Sequence, residues 1–359
     1  MLNICLTFDY EFFFGENNKN DEEILYFPTD NLLKVLEEES VSASFFIDVC
    51  AYERMVQEGL QTSADTMRKQ IQKMQLSGQD VELHIHPHWM KSEYKNGKWI
   101  FPKEYYRLHA YGLEETGKII STAKNELERI VQEVDPDYRC VAYRAGGFAI
   151  QPHEEVIRTL VKNGIVIDSS IAPQLFSDTE TNSYDYRSKD NLTNWWISSE
   201  YSWDKEGLKS GSCVYEVPIA TIDKNPIVYL FQRLFMNDRI RLILPSKTGS
   251  FIDEDSRTAK RVSLYKRLSG YGPISMDIYH YTYIYKLLCR YYKKNKCGEN
   301  DITVAIIGHP KLANGVYAEN MRKLIRLLRS DERFNFCNMK DIQEKQIKLN
   351  MTGENIDEQ

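Results

Sequence analysis

A chain of 359 residues with 42% hydrophobic and 27% charged residues has the composition of a soluble globular protein with a core of good size. Its net charge of −6 gives no general case for nucleic-acid binding, and its seven cysteines, odd in number and without a Cys-x-x-Cys pair, fit free thiols better than a disulfide framework. The apolar start Met1–Phe8 is too short for a signal peptide and no basic region precedes it, and no apolar run approaches the roughly 18 residues a bilayer span needs, so a cytoplasmic location is expected.

Leu2 to Phe8 reads as a buried strand that ends in Asp9-Tyr10-Glu11, two carboxyl groups two residues apart. The carboxyl end of a strand is where α/β barrels build their active sites. Thr29 is placed to cap a helix through Leu32, Leu33, Val35 and Leu36. Ser42 to Ile47 follows as a second buried strand, and a helix over Ala64–Leu76 stops at Ser77-Gly78. Then comes Val81-Glu82-Leu83-His84-Ile85-His86-Pro87-His88-Trp89, which packs three of the seven histidines into five residues. Histidine is the commonest side-chain metal ligand, and in an extended segment His84, His86 and His88 project to one side. Pro87 argues against a helix there and holds His86 extended.

Residues Met90 to Gly112, rich in Lys, Tyr and Trp, suggest a loop over the barrel mouth, with His109 at the surface. An amphipathic helix over Leu113–Val131 precedes a short strand, Cys140 to Tyr143, that delivers Arg144-Ala145-Gly146-Gly147. The paired glycines allow a tight backbone path past a site. A helix over Pro152–Lys162, with His153 at its solvated start, leads to the strand Ile165–Ile167, which ends in Asp168-Ser169-Ser170. Strand and helix thus alternate with chemically useful residues at successive strand ends, the pattern of a parallel (β/α) barrel.

From 172 to 300 the alternation is lost. Cys213 to Ile219 reads as one more strand, and Ile227–Ile243 and Val262–Lys296 as helices. These carry Arg233, Arg239, Arg241, Lys266, Arg267, Lys286, Arg290, Lys293 and Lys294 among aromatic residues. They read as helices with solvated basic faces; the second reading is peripheral contact with an anionic membrane surface or a lipid-linked pyrophosphate. His280 is read as structural. Ile302 to Ile307 is the clearest buried strand and ends in Gly308-His309-Pro310, followed by a helix over Ala318–Arg329 and a strand Phe334–Cys337. Residues 1–345 form a single unit, with 172–300 partly an insertion or subdomain; the polar tail 346–359 is expected to be disordered.

In this order the segments resemble the NodB-homology polysaccharide deacetylases, carbohydrate esterase family 4. Thr7-Phe8-Asp9-Tyr10-Glu11 resembles the first motif, His84-Ile85-His86-Pro87-His88 the second, Tyr143-Arg144-Ala145-Gly146 the third, Asp168-Ser169-Ser170 the fourth and Ile307-Gly308-His309 the fifth. The likeness covers residues 1–220 and 300–340. It implies a distorted parallel (β/α)7-type barrel with a large, mostly helical insertion before the last strands. It also implies a divalent cation, Zn²⁺ first and Co²⁺, Mn²⁺ or Ni²⁺ as substitutes, held by Glu11, His84 and His88. Asp9 becomes the base, Arg144 its partner, His309 the acid, and Asp168 joins the catalytic set; His86 becomes a supporting hydrogen-bond group. Tyr10 departs from the family's usual second aspartate, which is why Glu11 is taken as the carboxylate ligand, as in a variant arrangement of the group.

The implied activity is removal of an N-acetyl, O-acetyl or N-formyl group from a sugar in a glycan precursor or oligosaccharide, nucleotide- or lipid-linked forms included. Two other readings are a metal-dependent amidohydrolase or phosphoesterase, and a sugar-binding barrel that lost activity through Tyr10.

Overall fold

The computed structural model describes residues 1–12, 21–179, 181–188, 193–204, 213–223, 270–277, 279–299, 301–313 and 315–345. Nine strands make its main sheet: β1 (Leu2–Tyr10), β2 (Ser44–Asp48), β3 (Asp80–Ile85), β4 (Ala142–Ala145), β5 (Ile167–Asp168), β6 (Trp195–Ser198), β7 (Cys213–Glu216), β8 (Ile302–Gly308) and β9 (Phe334–Cys337). Their spatial order is β6-β7-β5-β4-β3-β2-β1-β8, with β9 paired to the first half of β1. Every pairing is parallel except β6 with β7. Beyond Glu216 the chain runs on to β8: the Ala220 N–H donates to the Ala305 carbonyl and the Ala305 N–H to the Pro218 carbonyl, at 2.8 and 2.9 Å. These bonds bring the two ends of the curled sheet together, as the barrel expectation requires.

A strand covered on both faces has to be apolar along its whole length. Accordingly all nine residues of β1 are buried, and the sequence from Leu2 to Phe8 contains no charge. The helices α1 (Phe27–Glu38), α2 (Val49–Gln57), α3 (Gln61–Leu76), α4 (Gly112–Gln132), α5 (Glu154–Lys162), α6 (Tyr281–Lys294) and α7 (Gly315–Arg329) complete the alternation. In α4, Thr116, Ile119, Ile120, Ala123, Leu127, Ile130 and Val131 are buried at helical spacing. Each large apolar side chain in such a stripe contributes about 1.5–3 kcal/mol of burial free energy. The register sets the strand ends level, pairing Asp48 with His84, His84 with Arg144, Tyr143 with Asp168, and Asp168 with Glu216.

Several local expectations change. Thr29 lies inside α1, its hydroxyl donating to the Leu25 carbonyl at 2.6 Å, because the helix starts three residues earlier than a Thr29 cap would place it. The stretch 90–112 contains an antiparallel hairpin, Glu93–Lys95 with Lys98–Ile100, turned by Asn96 and Gly97, both at positive φ. An Asn-Gly pair favours that turn. His153 is buried rather than solvated, with Nε2 2.8 Å from the Tyr201 carbonyl. His280 is the N-cap of α6 and accepts from the Thr282 N–H, a structural role as expected.

Within the expected helix Val262–Lys296, Tyr271–Pro273 is instead a strand pairing with Thr221–Asp223, and only Tyr281–Lys294 is helical in the described part. Lys286, Arg290, Lys293 and Lys294 are exposed on α6, with Arg290 and Lys294 bonded to Asp223. The expected helix Ile227–Ile243 with Arg233, Arg239 and Arg241, the residues Lys266 and Arg267, and the tail 346–359 lie outside the described residues. No described helix is long and apolar enough to cross a membrane.

Candidate metal and catalytic site

Alternation along the end of β1 sends Asp9 and Glu11 to one side and Tyr10 to the other. Tyr10 is fully buried, and its hydroxyl donates to Gln70 Oε1 of α3 at 2.8 Å. The tyrosine in the place of the motif's second acid therefore does not occupy the site. Glu11 Oε2 lies 3.3 Å from His84 Nε2 and 3.1 Å from His86 Nε2, and Glu11, His84 and His86 form the metal-compatible cluster among the described residues.

This differs from the expected pairing of His84 with His88. The alternation that aligns three histidines holds only while the chain stays extended. His86 is the last extended residue, at φ −111° and ψ 94°, and Pro87–Lys91 turns into a 3-10 helix that rotates His88 out of register. His88 is fully buried in aromatic packing: its ring stacks at 5.6 Å on Tyr106 and at 5.6 Å on Trp89, with Phe101 edge-on at 5.3 Å. Burial, followed by the neighbouring His86, pushes its pKa well below the usual histidine value.

The two clustered imidazoles are oriented from behind. His84 Nδ1 lies 2.8 Å from the Arg144 carbonyl, which can only accept, so Nδ1 carries a proton and Nε2 is the nitrogen turned towards Glu11. His86 Nδ1 lies 3.2 Å from Asp48 Oδ2; Asp48 also accepts from the His86 backbone N–H at 3.2 Å and from the Trp89 indole at 2.8 Å. Metal-binding histidines are held by their second nitrogen in this way. Gly146 makes room for the arrangement, since a Cβ there would lie 2.5 Å from the His86 ring and 2.7 Å from the Ile85 carbonyl.

Asp9 Oδ1 accepts from Arg144 Nη1 at 2.6 Å, while Oδ2 lies 3.9 Å from both His84 Nε2 and His309 Nε2. Arg144 has no freedom: Nε donates to the Ser169 carbonyl, Nη2 to Ser169 Oγ and Nη1 also to Thr7 Oγ1, and the guanidinium lies 4.1 Å from the Phe46 ring centroid. Burial pushes the Asp9 carboxyl up, but the charges of Arg144, His84 and His309 hold it below its ordinary pKa. Burial likewise opposes ionisation of Glu11, and Lys311, His86, His84 and His309 hold it well below the usual range. For His84, burial favours the neutral ring, yet Asp9 and Glu11 raise its pKa to about 9.

His309 follows β8, with Nδ1 2.7 Å from Asp277 Oδ2 and its backbone N–H donating to Asp277 Oδ1 at 2.8 Å. Burial lowers its pKa, and Asp277 with Glu11 more than reverses this. Besides His88, Asp168 is the expected site residue that the structure does not bring to the cluster. It is fully buried, accepts from the Ser170 hydroxyl at 2.6 Å and lies beside Glu216 on the neighbouring strand. Its segment serves the site through Ser169, which grips Arg144. Asp48, Asp277 and Lys311 complete the site and are not among the residues that the sequence singles out. Asp48 ends a buried strand as Asp9 does, so the signal was present; Asp277 falls in the stretch misread as helix, and Lys311 stands two residues past His309.

Four carboxyl groups (Asp9, Glu11, Asp48 and Asp277) face two fixed cations (Arg144 and Lys311) around the histidines, a formal excess of two negative charges when the imidazoles are neutral, as they must be to bind a metal. Two imidazole nitrogens, a carboxylate oxygen and that excess fit a divalent cation, with coordination positions left over for a reactant.

No protein-family model matches the sequence, and no curated protein matches it. Solved structures do. A putative glycoside hydrolase/deacetylase from Parabacteroides distasonis is 12% identical, over 96% of this chain and 70% of that one, with a TM-score of 0.51. A putative polysaccharide deacetylase from Mycobacterium smegmatis is 13% identical, over 96% and 89%, at 0.49. The PuuE allantoinase is 11% identical, over 95% and 88%, at 0.49. The chain thus shares the fold of that putative glycoside hydrolase/deacetylase, an α/β barrel-like fold of the class that the five motifs lead one to expect.

Proposed function

We propose that this chain is a metal-dependent carbohydrate deacetylase that removes an N-acetyl group from a sugar. The observation that carries the reading is the convergence of Asp9, Glu11, His84, His86, Arg144 and His309 at one end of the barrel, with the Nδ1 atoms of both clustered histidines held from behind. Glu11, His84 and His86 would hold the divalent cation. Bound there, it would supply Lewis-acid polarisation and lower the pKa of water.

The protein's own groups divide the proton work. Asp9, kept ionised by Arg144, turns Oδ2 into the site as a proton acceptor. His309, its pKa raised with Asp277 at its back, carries a proton suited to a departing sugar amine. Two titratable groups 3.9 Å apart whose environments push them opposite ways are the arrangement of a base and an acid. Arg144 fixes Asp9 through Oδ1 and keeps that oxygen from turning into the site.

The substrate we propose is an N-acetylated sugar of a glycan precursor or oligosaccharide, handled in the cytoplasm, and the seven free thiols suit that reducing compartment. Metal analysis of the purified chain, followed by acetate detection on free, nucleotide-linked and lipid-linked N-acetyl sugars with Zn²⁺, Co²⁺, Mn²⁺ or Ni²⁺ supplied, tests it. We expect one bound ion and acetate release from at least one sugar class. Protein that takes up no ion and releases no acetate from any of them overturns the reading.

A further inference from the structure

The two oxygens of Glu11 face different neighbours. Oε2 looks to the histidines, whereas Oε1 accepts from Lys311 Nζ at 2.7 Å and lies 3.5 Å from His309 Nε2. Lys311 is anchored a second time, by donation to the Phe12 carbonyl at 3.2 Å, and its side chain is only 9% exposed. It sits in the 3-10 turn Pro310–Leu312 immediately after His309, so the backbone that places the proposed acid also places this ammonium.

We propose that Lys311 is a positioning residue that reserves Glu11 Oε1, leaves Oε2 as the single oxygen Glu11 offers to a cation, and lowers the site's affinity for divalent metal. The proposal rests on the metal reading above. A charge-assisted N–H···O bond of this length engages one carboxylate oxygen strongly, so a bidentate grip by Glu11 would have to break it. A fixed positive charge touching a ligand carboxylate also opposes a second cation at that carboxylate, because buried charges are poorly screened. The same contact keeps the buried ammonium from standing uncompensated.

The test is a Co²⁺ titration of the metal-free full-length chain as wild type, Lys311→Met, Lys311→Gln and Lys311→Arg, reading the dissociation constant and the visible absorption band, whose intensity falls as coordination number rises. Lys311→Met and Lys311→Gln should bind Co²⁺ at least about tenfold more tightly, given the Coulomb energy of a charge in contact, and with a weaker band. Lys311→Arg, which keeps the charge, should match wild type. Should Lys311→Met fail to fold, the Gln and Arg variants carry the same comparison. Unchanged constants and spectra in the Met and Gln variants overturn the proposal, and so does weaker binding, which would mark Lys311 as scaffold alone. Wild-type protein that binds no Co²⁺ overturns instead the metal reading beneath it.

Discussion

Two sets of buried carboxyl groups lie near one end of the same barrel and have their pKa values pushed in opposite directions. Asp9 and Glu11 each meet a cation, Arg144 or Lys311, and sit below their ordinary pKa despite burial. Asp168 and Glu216 lie side by side on neighbouring strands with hydroxyl and amide donors, and burial drives both up, Glu216 further still through the charge of Asp168. Burial is common to all four, so it is the partner that decides the direction of the shift. The pH consequences have opposite signs. Asp9 and Glu11 contribute stability that is present above the ordinary carboxylate pKa and lost as pH falls through their lowered values. Asp168 and Glu216 contribute stability that is present below the ordinary pKa and lost as pH rises through their raised values.

The most disruptive way to break this comparison is to remove a cation. Arg144→Met should cost about 3–5 kcal/mol by leaving Asp9 buried and uncompensated, read from urea unfolding midpoints, and should abolish turnover. Retained stability would show that Arg144 does not balance Asp9. Removing a proposed metal ligand comes next: His84→Ala and His86→Ala should each lower metal affinity by about two orders of magnitude, while His88→Ala, which empties an aromatic pocket, keeps the metal. Metal content measured by mass spectrometry separates this set from the motif-based pair of His84 and His88. His309→Ala should spare the metal and slow turnover.

Gly146→Ala sharpens the contrast more gently. The added Cβ drives into the His86 ring and should cost roughly 1–3 kcal/mol, with part of the metal affinity, both read from thermal melts with and without metal. The smallest effect is expected at the pair with raised pKa values. Glu216→Gln mimics the protonated acid and should raise stability near neutral pH by roughly 1 kcal/mol, the scale of one pKa unit, flattening the decline in stability as pH rises towards the raised Glu216 value. An unchanged pH profile would mean that Glu216 does not hold a proton in the folded state.

Much of the barrel is legible along the chain because its strands are short apolar runs bounded by charge, as in Leu2–Phe8 and Ile302–Ile307, and its helices carry buried residues at helical spacing. Asp9, Arg144 and His309 stand out for the same reason, each placed where such a run stops. Asp48 shows that the signal was under-used. Asp277 had no signal, since its role exists only because Ser275 bridges to Ile307 and carries it up to His309.

The amino-acid sequence by itself determines the alternation, the strand ends and the supply of three histidines around Pro87, because periodicity and proline chemistry act locally. Which two histidines join Glu11 is decided by tertiary structure. The 3-10 turn ends the alternation after His86, aromatic packing claims His88, and Asp48 and the Arg144 carbonyl fix the other two rings. The direction in which each buried acid's pKa moves is decided the same way, by whether the fold places a cation in direct contact with it.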